Sequence, residues 1–275
     1  VREIEVGSFV PAKLLPQMAD AFEIVQYAKD IPNLTVVALV PNFIGAKNAI
    51  DAGADKICLP LSVSETHSQA NLRKSHDEVL EEIRKISEYI EQLEKSQRPE
   101  FEGNLSTAFG CTLEGKVSED LVLKLGARMM ELGCDEIGLS DTTGYANPNQ
   151  IKRLIRLLNK EVGQENLKSM HLHNTRGLGL ANALASLEEG ITTLDSSLGG
   201  IGGCPFAPGA SGNIVTEDLV FMLDAMGVET GIDINKLLEV TNKVQSFIPD
   251  ESIYGFTKDS GLPIGYEKGW GIVRS

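Results

Sequence analysis

Asp51-Ala52-Gly53-Ala54-Asp55-Lys56-Ile57 reads as a helix that ends on glycine and passes at once into an apolar strand. The same junction returns at Glu131-Leu132-Gly133-Cys134-Asp135-Glu136-Ile137 and at Glu188-Glu189-Gly190-Ile191-Thr192-Thr193-Leu194. Glycine closes a helix because it enters the left-handed region without a Cβ clash. A buried strand directly after each helix predicts alternating β and α units, and such units imply parallel strands.

Outward from these junctions the rhythm covers most of the chain. Strands are read over 2–6, 35–40, 56–59, 103–108, 136–139, 168–173 and 192–195. The run Thr35-Val36-Val37-Ala38-Leu39-Val40 is continuously apolar, as a strand buried on both faces must be. Helices are read over 17–28, 46–52, 77–93, 119–132, 148–160, 181–188 and 216–226, with a further one over 234–247 outside the repeat. Ser118 is read as the start of one helix, and Asn147-Pro148 caps and opens another. A polar loop is read around His67. Seven strands fall one short of a TIM (β/α)8 barrel. The expectation is therefore a barrel over 1–230 lacking its first βα unit, with an extra helix and irregular tail over 231–275 packed on it. A doubly wound open sheet is the structural alternative, but no GxGxxG follows the first strand.

The 275 residues are 42% hydrophobic and 23% charged, which is ordinary globular composition. A net charge of −14 argues against a broad nucleic-acid or anionic-membrane surface, though not against a local basic pocket. No run of 18 apolar residues predicts a membrane span. No secretory signal is visible after Val1, and Cys58, Cys111, Cys134 and Cys204 form no CxxC pair. Free thiols in a reducing compartment, hence a cytoplasmic protein, are the expectation.

Candidate chemistry falls after strand ends, where barrel sites are built. His171 and His173 are two apart on a strand, so their side chains share a face and can ligate one divalent ion. The alternative is one core and one surface histidine. Asp141-Thr142-Thr143-Gly144 is either a turn or part of a site. Glu5 lies between apolar strand residues and either needs a partner or faces solvent. Cys204, between Gly203 and Pro205, is placed for an accessible thiol, whereas Cys58 and Cys134 read as buried and inert. His67 and His76 read as exposed.

The stretch Gly199-Gly200-Ile201-Gly202-Gly203-Cys204-Pro205-Phe206-Ala207-Pro208-Gly209-Ala210-Ser211-Gly212-Asn213 resembles the signature of the 3-hydroxy-3-methylglutaryl-CoA lyase family. The likeness continues through Thr216-Glu217-Asp218-Leu219-Val220, and it extends to Ile4–Val10, Pro16–Asp20, Val40–Asn42, Phe109–Cys111, Glu114–Lys116, Asp141-Thr142 and the histidine pair. The resemblance implies an aldolase-type barrel that cleaves an acyl-CoA substrate by retro-Claisen chemistry. By the same resemblance His171, His173 and Asn213 bind Mg²⁺ or Mn²⁺, and Cys204 donates a proton. Glu5, Asp141 and His171 complete the acid–base site, while Ser8, Asn42 and Thr142 line the substrate pocket. A homodimer is also implied.

Two departures qualify the resemblance. The family's Arg-Asp pair after its first strand has no counterpart here. The family's His-Cys-His-Asp-Thr-Tyr is His171-Leu172-His173-Asn174-Thr175-Arg176 in this chain. Arg176 either recruits a carboxylate or CoA phosphate or is a surface residue. A lyase for another 3-hydroxyacyl-CoA such as citramalyl-CoA, a synthase, and a non-catalytic barrel are the alternatives.

Overall fold

The computed structural model describes residues 1–202 and 212–269. Seven parallel strands form one sheet in chain order: β1 (Glu3–Ser8), β2 (Thr35–Leu39), β3 (Lys56–Ser62), β4 (Glu100–Ser106), β5 (Glu136–Asp141), β6 (Leu167–Leu172) and β7 (Thr193–Asp195). Chain-order pairing with parallel register is what βα repeats produce when each crossover has the same hand. The connecting helices are α1 (Ala21–Lys29), α2 (Phe43–Ala52), α3 (Glu65–Asn71), α4 (His76–Gln92), α5 (Glu119–Glu131), α6 (Pro148–Val162), α7 (Gly179–Glu188) and α8 (Thr216–Ala225). Two more, α9 (Ile234–Phe247) and α10 (Phe256–Ser260), follow the repeat. Among the described residues no strand pairs with the outer edge of β1 or β7, so the curled sheet has two open edges.

The core lies between sheet and helices. Ile57, Leu59, Leu61, Phe101, Leu105, Ile137 and Leu139 are fully buried, and Ile83, Ile86, Met129, Ile151 and Leu154 cover them from the helices. The three junction glycines have the expected left-handed backbone, with φ of 97° at Gly53, 100° at Gly133 and 93° at Gly190. Asn147 caps α6 with a reciprocal bond from Gln150, as read. Ser118 occupies the N-cap of α5 but makes no side-chain cap bond there.

The 63–75 stretch corrects the sequence reading. It contains α3, whose N-cap Ser64 accepts from the His67 amide at 3.1 Å. His67 is buried, with Nδ1 2.9 Å from Ser62 Oγ, and His76 is half-buried, with Nε2 donating to the Ser62 carbonyl at 2.9 Å. Neither histidine is exposed. Polar spacing alone hides this, because the partner hydroxyl and carbonyl belong to the strand above.

One polar layer sits within the sheet. Lys56 is buried and pairs with Glu102 at 2.7 Å, with Glu136, and with Glu3 at 3.5 Å. Glu102 also accepts from Ser169 Oγ at 2.6 Å, so five strands are tied through one carboxylate cluster. At the other end, α9 packs on α8 through Val220, Ile234 and Leu237. No helix among the described residues is long and apolar enough to cross a membrane.

Candidate active site

The site is assembled by strand register. β6 places His171 beside Ser140 on one side and Asp195 on the other. Asp195 Oδ1 meets His171 Nδ1 at 2.7 Å. The far nitrogen of that ring, Nε2, lies 3.0 Å from His173 Nε2, with the two rings at 72°. Two imidazoles thus aim their Nε2 atoms at one point, as i and i+2 on a strand permit.

Asn213 joins them through backbone. Ile214 N–H donates to the Leu172 carbonyl at 3.0 Å, and Asn174 N–H donates to the Gly212 carbonyl at 3.2 Å. These bonds make an antiparallel bridge between His173 and Asn213. The Asn213 amide nitrogen donates to the Ile201 carbonyl at 3.2 Å, so its side-chain oxygen is the atom that would coordinate a cation.

The electrostatics separate the two histidines. Burial disfavours the charged form of His171, yet the Asp195 carboxylate overcomes it and holds the ring up at about 9. His173 is pushed down to about 4 by burial and then by its neighbour His171. Its Nδ1 is buried without a hydrogen-bond partner among the described residues. Glu5, on β1, is raised to about 7 by burial and then by Asp195. Its surface is open at the sheet edge, so water weakens the first cause and the carboxylate neighbour sustains the direction.

These residues fit a divalent cation by donor chemistry. Neutral imidazole nitrogens and an amide oxygen suit first-row and magnesium-like ions, and His171 would give up the proton that Asp195 stabilises on binding one beside His173. A carboxylate behind a ligating imidazole fixes its tautomer and orientation, which is the role Asp195 would fill for His171. Among the described residues no three His, Cys, Asp or Glu side chains form a metal-holding group, so the third ligand of such a site would be the Asn213 amide.

The other candidates divide. Asp141 is buried at the end of β5 and accepts from Tyr145 N–H at 2.8 Å and Ala146 N–H at 3.1 Å. Burial nevertheless pushes its carboxyl up to about 6. It organises the turn, so the turn reading of Asp141–Gly144 describes its present contacts. Thr142 Oγ1 accepts from Thr107 N–H at 2.9 Å. Ser8 ends β1, half-buried and in register with Leu39. Asn42 caps α2, its Oδ1 accepting from Gly45 N–H at 2.9 Å. It also lines a cavity of about 540 Å³ with Phe9, Pro11, Met18, Phe22 and Ile44. Cys58, Cys111 and Cys134 are buried thiols. Cys204 lies outside the described residues.

Arg176 is exposed but tethered. Its guanidinium lies 4.5 Å from the Tyr145 ring centroid, and Nη1 donates to the Thr143 carbonyl at 3.0 Å and the Gly144 carbonyl at 3.3 Å. Asn174 Oδ1 accepts from Gly179 N–H at 3.0 Å and steadies the entry to α7. Asn174 and Arg176, the altered positions of the histidine motif, are therefore both engaged in loop structure. Asp195 escaped the sequence reading, although its place one strand over from His171 follows once the parallel register is known.

A curled parallel sheet with outer helices and convergent imidazoles at the C-terminal end of one strand defines a TIM-barrel-like α/β enzyme architecture. A family model described as HMGL-like matches residues 1–244. The chain belongs to the HMGL-like family. It is 37% identical over 242 residues to the hydroxymethylglutaryl-CoA lyase of Bacillus subtilis (strain 168), covering 88% of this chain and 79% of that protein. It is 39% identical over 236 residues to the mitochondrial hydroxymethylglutaryl-CoA lyase of Bos taurus, covering 86% and 71%. The solved structure of an HMG-CoA lyase from Acinetobacter baumannii, in complex with coenzyme A and 3-methylmalate, superposes with a TM-score of 0.89 at 38% identity, covering 97% of this chain and 85% of that one.

Proposed function

We propose that this protein cleaves 3-hydroxy-3-methylglutaryl-CoA into acetyl-CoA and acetoacetate. The convergence of His171 and His173 at 3.0 Å, backed by Asp195, is the observation that carries the reading. Similarity to hydroxymethylglutaryl-CoA lyases across most of the chain supports it.

His171, His173 and Asn213 would hold Mg²⁺ or Mn²⁺. That ion supplies Lewis-acid chemistry that acidifies the tertiary hydroxyl of the substrate. Glu5 would take the hydroxyl proton, and His171, engaged through both ring nitrogens by Asp195 and the cation, would hold the hydroxyl in place for that transfer. The resulting alkoxide becomes the ketone of acetoacetate as the C–C bond breaks. The electron pair of that bond passes to the enolate of acetyl-CoA, and the Cys204 thiol gives its proton to the enolate carbon. Asp141 holds the β5 loop through Tyr145 and Ala146, and Thr142, Ser8 and Asn42 would line the substrate pocket. The cavity around Asn42 is open to the acyl-CoA chain.

In this reading 1–230 is the catalytic barrel and 231–275 an appended helix and tail. The seven strands are read as a (β/α)8-type barrel short of its first βα unit in this chain. A cytoplasmic homodimer is the working assembly.

The test is acetoacetate release from 3-hydroxy-3-methylglutaryl-CoA by the full-length protein with Mg²⁺, before and after chelation. Product that disappears on chelation and returns with Mg²⁺ supports the assignment. A folded, metal-loaded protein that releases none, yet cleaves citramalyl-CoA, would replace it with that substrate.

A further inference from the structure

The C-terminal segment beyond residue 244, outside the family match, touches the site. Tyr254 N–H donates to the Gly199 carbonyl at 3.0 Å, and its hydroxyl donates to the Asn213 carbonyl at 3.2 Å. One residue therefore spans both roots of the glycine-rich stretch, its backbone holding one and its side chain the other. Gly199 and Gly200 have φ of 56° and 66°. A Cβ on Gly199 would lie 2.5 Å from Ile253 Cβ, and one on Gly200 would lie 2.5 Å from Tyr254 Cζ. These glycines are thus required by close approach of the tail as well as by backbone conformation.

Adjacent buried carboxylates in the first turn of α8 anchor this arrangement from below. Glu217 accepts from Gly199 N–H with both oxygens at 3.1 Å, and from Thr241 Oγ of α9 at 2.5 Å. Asp218 accepts from Thr257 N–H at 2.7 Å and Phe256 N–H at 3.1 Å. Negative charge is favoured at a helix N-terminus, so one turn can hold the root and the tail together.

We infer that Tyr254 is a positioning residue that locks Asn213 beside His171 and His173. The inference rests on the reading of Asn213 as a cation ligand. Tyr254 touches no reacting atom in this arrangement. Its hydroxyl fixes the Asn213 backbone, while the His173–Asn213 bridge fixes the other side of the same residue. Outer partners of metal ligands are commonly worth about 10–100-fold in metal affinity.

The experiment compares the full-length protein with Tyr254→Phe, which keeps the ring and removes only the hydroxyl. Mn²⁺ affinity is read by electron paramagnetic resonance, thermal unfolding by calorimetry, and exchange at the Gly200 and Ile214 amides by mass spectrometry. The expected result is Mn²⁺ binding about 10-fold weaker, faster exchange at both amides, and a melting temperature within about 2 °C of the parent. Parental Mn²⁺ affinity together with parental exchange would overturn the assignment. A parent that binds no Mn²⁺ would remove the cation reading instead. Exchange would then decide alone, with faster exchange in Tyr254→Phe retaining the lock on Asn213 and unchanged exchange removing it.

Discussion

His171 Nδ1 lies 2.7 Å from Asp195 Oδ1, so the last strand of the sheet orients the ring that the preceding strand presents. Asp195 is half-exposed and the pair adds little to stability, because water screens surface ion pairs. Its consequence lies in function. Asp195→Asn is expected to weaken Mn²⁺ binding and acetoacetate release about 10–100-fold. The melting temperature should stay close to the parent, and a large loss of stability with parental Mn²⁺ affinity would contradict this role.

Lys56 carries the opposite balance. It is buried among Glu102, Glu136 and Glu3. Lys56→Met leaves the buried Glu102 carboxylate without a cation, while Glu136 keeps Lys168 at 2.7 Å, and breaking a buried pair of this kind costs about 3–5 kcal/mol. Urea unfolding should show the midpoint fall by the corresponding amount. A loss below about 1 kcal/mol would mean that water reaches the cluster.

Gly138 explains a small residue in the middle of β5. A Cβ there would press into Ser169 Oγ and Glu102 Oε1 and lie 2.6 Å from Asn104 Nδ2. Gly138→Ala should destabilise by about 1–3 kcal/mol through overpacking. The check is denaturant titration of the variant beside Gly177→Ala, where no atom lies within 4 Å but φ is 72°.

Asp141 predicts a pH signature. Its carboxyl is raised to about 6 in the fold, against about 3.9 in an unfolded chain. The folded state binds the extra proton between those values. Its stabilising contribution is full below about pH 4 and is lost as pH rises to about 6, on the order of 3 kcal/mol in all. Asp141→Asn should lack this slope. Unfolding free energies measured from pH 4 to pH 7 with parallel curves for the two proteins would refute it.

Chelation gives a test that needs no substrate. A cation at 100 times its dissociation constant stabilises the folded protein by about 2.7 kcal/mol. Mg²⁺ or Mn²⁺ should therefore raise the melting temperature of the parent but not of His173→Ala. An equal rise in both would place the ion elsewhere.

Local pattern determined much of this protein. Glycine at 53, 133 and 190 announced the helix-to-strand turns, and continuous apolar runs announced a sheet buried on both faces. Seven strands and the His171/His173 pair were legible because side-chain period and capping act over a few residues. Contacts set by packing between distant segments were not legible. The Ser62 hydroxyl that meets His67 is itself held by Thr107, 45 residues further on, and the orientation of His171 depends on Asp195 of β7. Arg176 is held by the Tyr145 ring 31 residues earlier in the chain, and Tyr254 reaches Asn213 across 41 residues. Periodicity says which face a residue takes. Only the tertiary structure, through register and the closure of long loops, decides which residue it meets there.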